Sequence, residues 1–217
     1  MRLSGNKLLV YLLVGVLALT ASFAIPMFAC RNPDPKLDDL GSVPAFDLVD
    51  DQGAVFTEEA LRGHPTIIDF VFTRCDTICP VVSARMAQMQ ERLADRKAES
   101  IKLVSITVDP AHDTPEKLHA YARTFGAKPD KWRFLTGPTD KVRALVEGPF
   151  MNSMRNEGVT ASGAPQISHS GYFVLVDGEL KIRGVYDSSE QSRLDELDHH
   201  ARYLARIGEG RSYKFGK

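Results

Sequence analysis

The chain has 217 residues, 43% of them apolar and 25% charged, with a formal net charge of -1. These are the proportions of an ordinary fold with one core, not of a disordered or fibrous chain. Acids and bases are spread along the sequence without a basic run or a basic-aromatic stripe, which sets nucleic-acid binding aside. Three cysteines are too few for a disulfide-stapled scaffold, and their distribution, Cys30 alone and Cys75 near Cys79, is that of a working pair.

Arg2 and Lys7 precede residues 8–29, a run without a charged side chain. A bilayer takes roughly 20 such residues, so the run is long enough to span one. Three readings stay open: a retained signal anchor, a signal peptide cleaved near Ser22-Phe23-Ala24, or a lipoprotein segment ending at Cys30. In each, residues 1–30 target the chain to the bacterial cytoplasmic membrane, and the positive-inside rule puts the remainder of the chain on the extracytoplasmic, periplasmic side. Residues 31–43, rich in Pro, Asp and Lys, read as a linker with little to bury.

Residues 46–49 (FDLV) and Val55-Phe56, around Asp51-Gln52-Gly53, predict a leading hairpin. Residues 66–72 (TIIDFVF) are nearly continuous in apolar and β-branched types, as a buried central strand should be. Val82, Met86, Met89 and Leu93 then form the stripe of an amphipathic helix. A second strand is expected over 101–108. Thr114-Pro115 starts a helix with Leu118, Tyr121, Ala122 and Phe125 on one face, and Gly126 stops it. A third strand covers 132–136, and Thr139 is expected to cap a helix bearing Val142, Leu145 and Val146 that Gly148 closes. Residues 151–166 show no period and read as a long loop. Residues 172–176 and 180–186 flank Asp177-Gly178, a strong hairpin pair. Leu194, Leu197, Ala201 and Leu204 mark a last helix.

Crossover helices imply parallel pairing early, and the tight turn imposes an antiparallel edge late. A βαβ unit joined to a ββα unit gives an α/β, thioredoxin-like fold: a central mixed sheet over 44–207, with an N-terminal hairpin and a tail over 208–217.

Cys75 and Cys79 stand four apart between the central strand and the helix it feeds. That spacing at a helix start puts both sulfurs on one face, and the helix N-terminus favours thiolate over thiol. Pro80 fits, because a first-turn N–H needs no helical partner. Thiolate both binds soft metals and attacks disulfides. Zinc fingers are disfavoured by the lack of a second ligand pair at metal spacing. Thioredoxin-type motifs have two intervening residues where this one has three.

Among His64, His112, His119, His169, His199 and His200, only His169 occupies the loop that a thioredoxin-like fold brings beside the cysteine-bearing helix. Two thiolates and one imidazole suit copper, as Cu(I) or Cu(II), and zinc with a water is also compatible. Met151 and Met154 are read as packing rather than as soft ligands.

The sequence resembles the Sco (SCO1/SenC) family of copper chaperones for cytochrome c oxidase. The residues carrying this are Cys-x-x-x-Cys-Pro over 75–80, SITVDP over 105–110 leading to Asp113-Thr114-Pro115, Tyr121, WRFLTG over 132–137, and His169-Ser170 before 173–177. Ser168 stands where many members carry Asp. The resemblance implies copper held by Cys75, Cys79 and His169. It also implies delivery to the binuclear CuA site on oxidase subunit II, or reduction of that site's cysteines, with the upstream copper donor left open. The alternative is an extracytoplasmic thiol–disulfide oxidoreductase in which Cys75 and Cys79 are the catalytic redox pair. A peroxiredoxin-like peroxidase is weaker, because a single peroxidatic Cys would not need Cys79.

Overall fold

The structure is a computed structural model that describes residues 34–150 and 171–212, with side chains given as far as residue 208. The expected membrane-targeting segment, the long loop over 151–166 and His169 lie outside the described residues. No helix within them is long and apolar enough to cross a membrane.

Seven strands form one mixed sheet: β1 (Asp47–Asp50), β2 (Val55–Thr57), β3 (Thr66–Val71), β4 (Lys102–Thr107), β5 (Trp132–Thr136), β6 (Tyr172–Val176) and β7 (Ile182–Asp187), in the order β2-β1-β5-β4-β3-β6-β7. Pairing is parallel for β3 with β4 and for β4 with β5, and antiparallel elsewhere. The helices are α1 (Ile78–Arg92), α2 (Pro115–Thr124), α3 (Thr139–Leu145) and α4 (Gln191–Ser212). This is the thioredoxin-like arrangement, with the leading hairpin added through β1 and β5.

Alternation along each strand feeds two cores. Ile67 and Val71 of β3, Leu103 of β4, Trp132 and Phe134 of β5 and Phe173 and Leu175 of β6 pack with α1, α2 and α4. Ile68, Val104, Ile106, Leu135, Val174 and Val176 pack on the opposite face with α3 and Leu48. Each of these large side chains contributes about 1.5–3 kcal/mol by leaving water. Burial on both faces is why 66–72 reads as nearly continuous apolar sequence, and it makes β3 a rigid strut under the cysteines beyond its end.

Several boundaries differ from the sequence reading. Thr139 is the first helical residue of α3 and supplies no cap, Pro138 standing before it. Gly148 does not end that helix: a wide π turn, Val146–Phe150, continues it through Pro149. Phe150 explains the extension, since it is fully buried with its ring 5.3 Å from that of Phe70. In the last hairpin the left-handed residue is Leu180, at φ 66°, and not Gly178. Gly178 serves close approach instead, because a Cβ there would lie 3.0 Å from the backbone of Gly63. Asp177 closes the turn by accepting from the N–H groups of Glu179 and Lys181. Residues 40–43, read as linker, are bound to the sheet: Leu40 N–H donates to Ile182, Val43 N–H to Leu180, and Val43 is buried. The compact unit accordingly begins at Lys36, and α4 continues past residue 207 to Ser212.

Candidate functional site

The strand β3 ends at Val71, and beyond it comes a tight turn in which Cys75 N–H donates to the Phe72 carbonyl at 3.2 Å. Helix α1 starts three residues later, so Cys79 lies inside its first turn and Cys75 just ahead of it. Thr77, at the cap position, makes no side-chain cap. The sulfur of Cys75 takes that role, accepting the Cys79 N–H at 3.3 Å, one of the donors every helix start leaves without an internal partner.

The two thiols are free and differ in setting: Cys75 is half-buried and Cys79 is 4% exposed. Partial burial works against ionisation of Cys75, but the Cys79 N–H, the Cys79 thiol and the N–H and hydroxyl of Thr77 outweigh it, bringing its pKa down to about 7. For Cys79, burial leads, the contact with Cys75 and the nearby Asp69 charge add to it, and the thiol is pushed up to about 12. The helix start therefore activates one sulfur, not both as the spacing alone suggested.

Three further features surround the pair. Asp113, fully buried, accepts from Thr73 N–H at 3.1 Å, from the Thr73 hydroxyl at 2.5 Å and from the Thr107 hydroxyl at 2.5 Å. Arg74, in the same turn, is ion-paired with Asp109. Asp69, on the β3 face toward α1, is fully buried, and neither carboxyl oxygen has a hydrogen bond of good geometry. Burial, eased in part by the neighbouring Ser105, lifts its pKa to about 7. Ser105 is opposite Asp69 in the sheet, and its oxygen accepts the Trp132 indole N–H at 2.9 Å.

Of the predicted ligands, Cys75 and Cys79 come together; His169 lies outside the described residues. Gly171, two residues on, is described. Its carbonyl accepts from Ser188 N–H, and a Cβ on it would fall 2.0 Å from Val82 of α1, one turn after Cys79. Among the described residues no three His, Cys, Asp or Glu side chains gather to hold a metal. His112 instead lies beside Lys117, His119 meets Asp51, His64 meets the Ser100 carbonyl, and His200 meets the Tyr186 hydroxyl. Sequence reasoning assigned no role to Asp113, Thr73 or Asp69, although a lone acid inside an apolar strand was a visible sign of the last.

A two-thiol site at the helix start of a thioredoxin-like domain defines a class of dithiol proteins that handle soft metals or disulfides. Within it, the SCO1/SenC family matches residues 36–204, and the chain belongs to that family. It is 31% identical over 157 residues to the SCO1 protein homolog of Bacillus subtilis, covering 71% of this chain and 78% of that one. It is 32% identical over 156 residues to the mitochondrial protein SCO2 of Saccharomyces cerevisiae, covering 70% of this chain and half of that longer one. The solved structure of BsSco, described as having a disulfide switch and as a member of the Sco family of cytochrome c oxidase assembly proteins, is similar, with a TM-score of 0.64 and 28% identity, over 78% of this chain and 97% of that one. Copper-bound yeast Sco1 is similar with a TM-score of 0.57 and 26% identity, over 79% and 94% of the two chains.

Proposed function

We propose that this protein is a copper metallochaperone that binds copper through the thiolates of Cys75 and Cys79 and the imidazole of His169, and passes it on toward the CuA site of cytochrome c oxidase subunit II. Residues 1–30 hold it at the bacterial cytoplasmic membrane with the folded domain on the periplasmic side. The observation that carries the reading is the convergence at the start of α1. The Cys75 sulfur lies 3.3 Å from the Cys79 nitrogen, and Gly171, two residues after His169, is packed against Val82 of the same helix. Two residues of chain reach at most about 7 Å, so this anchor favours residue 169 as the third donor. Soft sulfur ligands suit Cu(I), and an imidazole helps accommodate Cu(II). The copper bound by yeast Sco1 and the oxidase-assembly description of the Sco family support the cargo and its destination.

Copper is cargo here, so what the protein supplies is a ligand set that gives it up. Cys75, half-exposed and readily ionised, is the group a partner reaches first. Cys79, buried and hard to ionise, is the inner ligand. Ligand exchange begins at Cys75 and ends at Cys79. The same split in acidity favours a second reading, since an exposed attacking thiol beside a buried one is also the arrangement of a dithiol–disulfide oxidoreductase.

Copper titration of the reduced full-length protein separates the two. The expected result is stoichiometric binding with thiolate-to-copper absorption, lost in Cys75→Ser and Cys79→Ser, with Cu(II) retention strongly weakened in His169→Ala. Parent-like copper binding by His169→Ala, together with loss of disulfide reductase activity, would decide for the oxidoreductase.

A further inference from the structure

The two sulfurs belong to different parts of the fold. Cys79 is part of α1, in its first turn. Cys75 ends the Phe72–Cys75 turn, and that turn is fastened to the loop between β4 and α2. Both hydrogen-bond donors of Thr73 go to Asp113, the N–H at 3.1 Å and the hydroxyl at 2.5 Å. The second oxygen of Asp113 also takes the hydroxyl of Thr107, the last residue of β4. Asp113 is itself fixed, its N–H donating to the Asp109 carbonyl at 2.9 Å. Arg74, the next residue of the turn, meets Asp109 through Nε at 2.9 Å. One loop thus holds two consecutive residues of the turn from carboxyls four positions apart.

We infer that Asp113 is the positioning residue of the thiol pair: by clasping Thr73 it sets where Cys75 stands, and so how close its sulfur lies to Cys79. This deepens the proposed function, resting on the reading that the two thiols act as a pair, whether on copper or as a disulfide. The Asp113 carboxyl is 0% exposed, and a buried polar group of this kind is retained only where its hydrogen bonds are satisfied. Here all of those from side chains and from the turn come from Thr73 and Thr107. Its bonds lead to the residue two before Cys75, and α1 makes none of them. The spacing of the sulfurs is therefore the spacing of two anchors, the helix and the loop.

The test uses metal-free full-length protein in glutathione redox buffers. Closure is Cys75–SH plus Cys79–SH plus glutathione disulfide giving the protein disulfide and two reduced glutathiones; two S–H bonds and one S–S bond are exchanged for their equals. The equilibrium constant, read by mass spectrometry of the peptide carrying residues 75 and 79, gives the effective molarity of the pair. Thr73→Val, which keeps the shape and loses the hydroxyl, and Asp113→Asn are each expected to lower it tenfold or more. Thr73→Ser, which keeps the hydroxyl, should stay within twofold of the parent. Leu197→Ala, a core truncation in α4, should leave it unchanged while lowering stability. Should Asp113→Asn fail to fold, the contrast between Thr73→Val and Thr73→Ser decides alone. An unchanged constant in Thr73→Val, or an equal fall in Leu197→Ala, overturns the assignment. No copper enters the measurement, so its outcome stands apart from whether the chain carries that metal.

Discussion

The backbone N–H of Cys79 donates to the sulfur of Cys75 at 3.3 Å, so one cysteine of the pair caps the helix that contains the other. A sulfur in that place gains from being charged, because it faces a donor at the positive end of the helix. The two thiols therefore titrate far apart. Alkylation followed across pH should label Cys75 with a midpoint near pH 7, while Cys79 stays unlabelled until the solution is strongly alkaline, in line with values of about 7 and about 12. Labelling of both residues together above pH 8 would show that the cap does not form.

Asp69 predicts a pH dependence of stability. Its folded-state pKa is about 7, against about 4 for an unfolded aspartate. The folded chain thus holds a proton that the unfolded chain releases. The stabilisation from this group is full below about pH 4 and is lost as pH rises through 7. Between pH 5 and 8 it amounts to about 2–3 kcal/mol. Urea unfolding of Asp69→Asn should show that much less decline over the interval than the parent, and greater stability at pH 8. Identical slopes in the two proteins would refute the assignment.

Gly171→Ala places a methyl where Val82 Cγ2 already stands, 2.0 Å away, with Ser188 Oγ at 3.1 Å. Overpacking of this kind costs about 1–3 kcal/mol. The double variant Gly171→Ala/Val82→Ala should be less destabilised than the sum of the singles, measured by denaturant unfolding as a coupling of the same sign. Additive losses would mean that the two positions do not touch.

Phe150→Ala tests why α3 continues past Gly148. Removing a fully buried ring stacked at a tilt on Phe70 should cost about 3–5 kcal/mol. Cys75 alkylation in the folded variant should be unchanged. A loss below about 1 kcal/mol would place the ring outside the core.

Elements whose burial is periodic were legible from the sequence. Val82, Met86 and Met89 of the stripe lie on the buried face of α1, with Leu93 buried at its C-cap, and Thr114 with Pro115 starts α2 as read, the Thr114 hydroxyl accepting from Lys117 N–H. The cysteine pair was legible for the same reason, since its spacing is local. What was missed is long-range. Thr73 and Asp113 meet across 40 positions because β3 and β4 run parallel and their ends coincide at Val71 and Thr107. No local pattern records that. The end of α3 was misjudged because a glycine argues for stopping, while a large aromatic two residues later has a pocket to fill. The last hairpin was legible from Asp177-Gly178, but the close approach of Gly178 to Gly63 is long-range and has no local signature.

The chain has one tryptophan, Trp132, and its indole N–H donates to Ser105, the strand position opposite Asp69. Ionisation of that carboxyl changes the electric field across the ring. The emission wavelength of that single fluorophore is thus expected to follow the charge beneath the thiols as pH changes, without any label and without disturbing the cysteines.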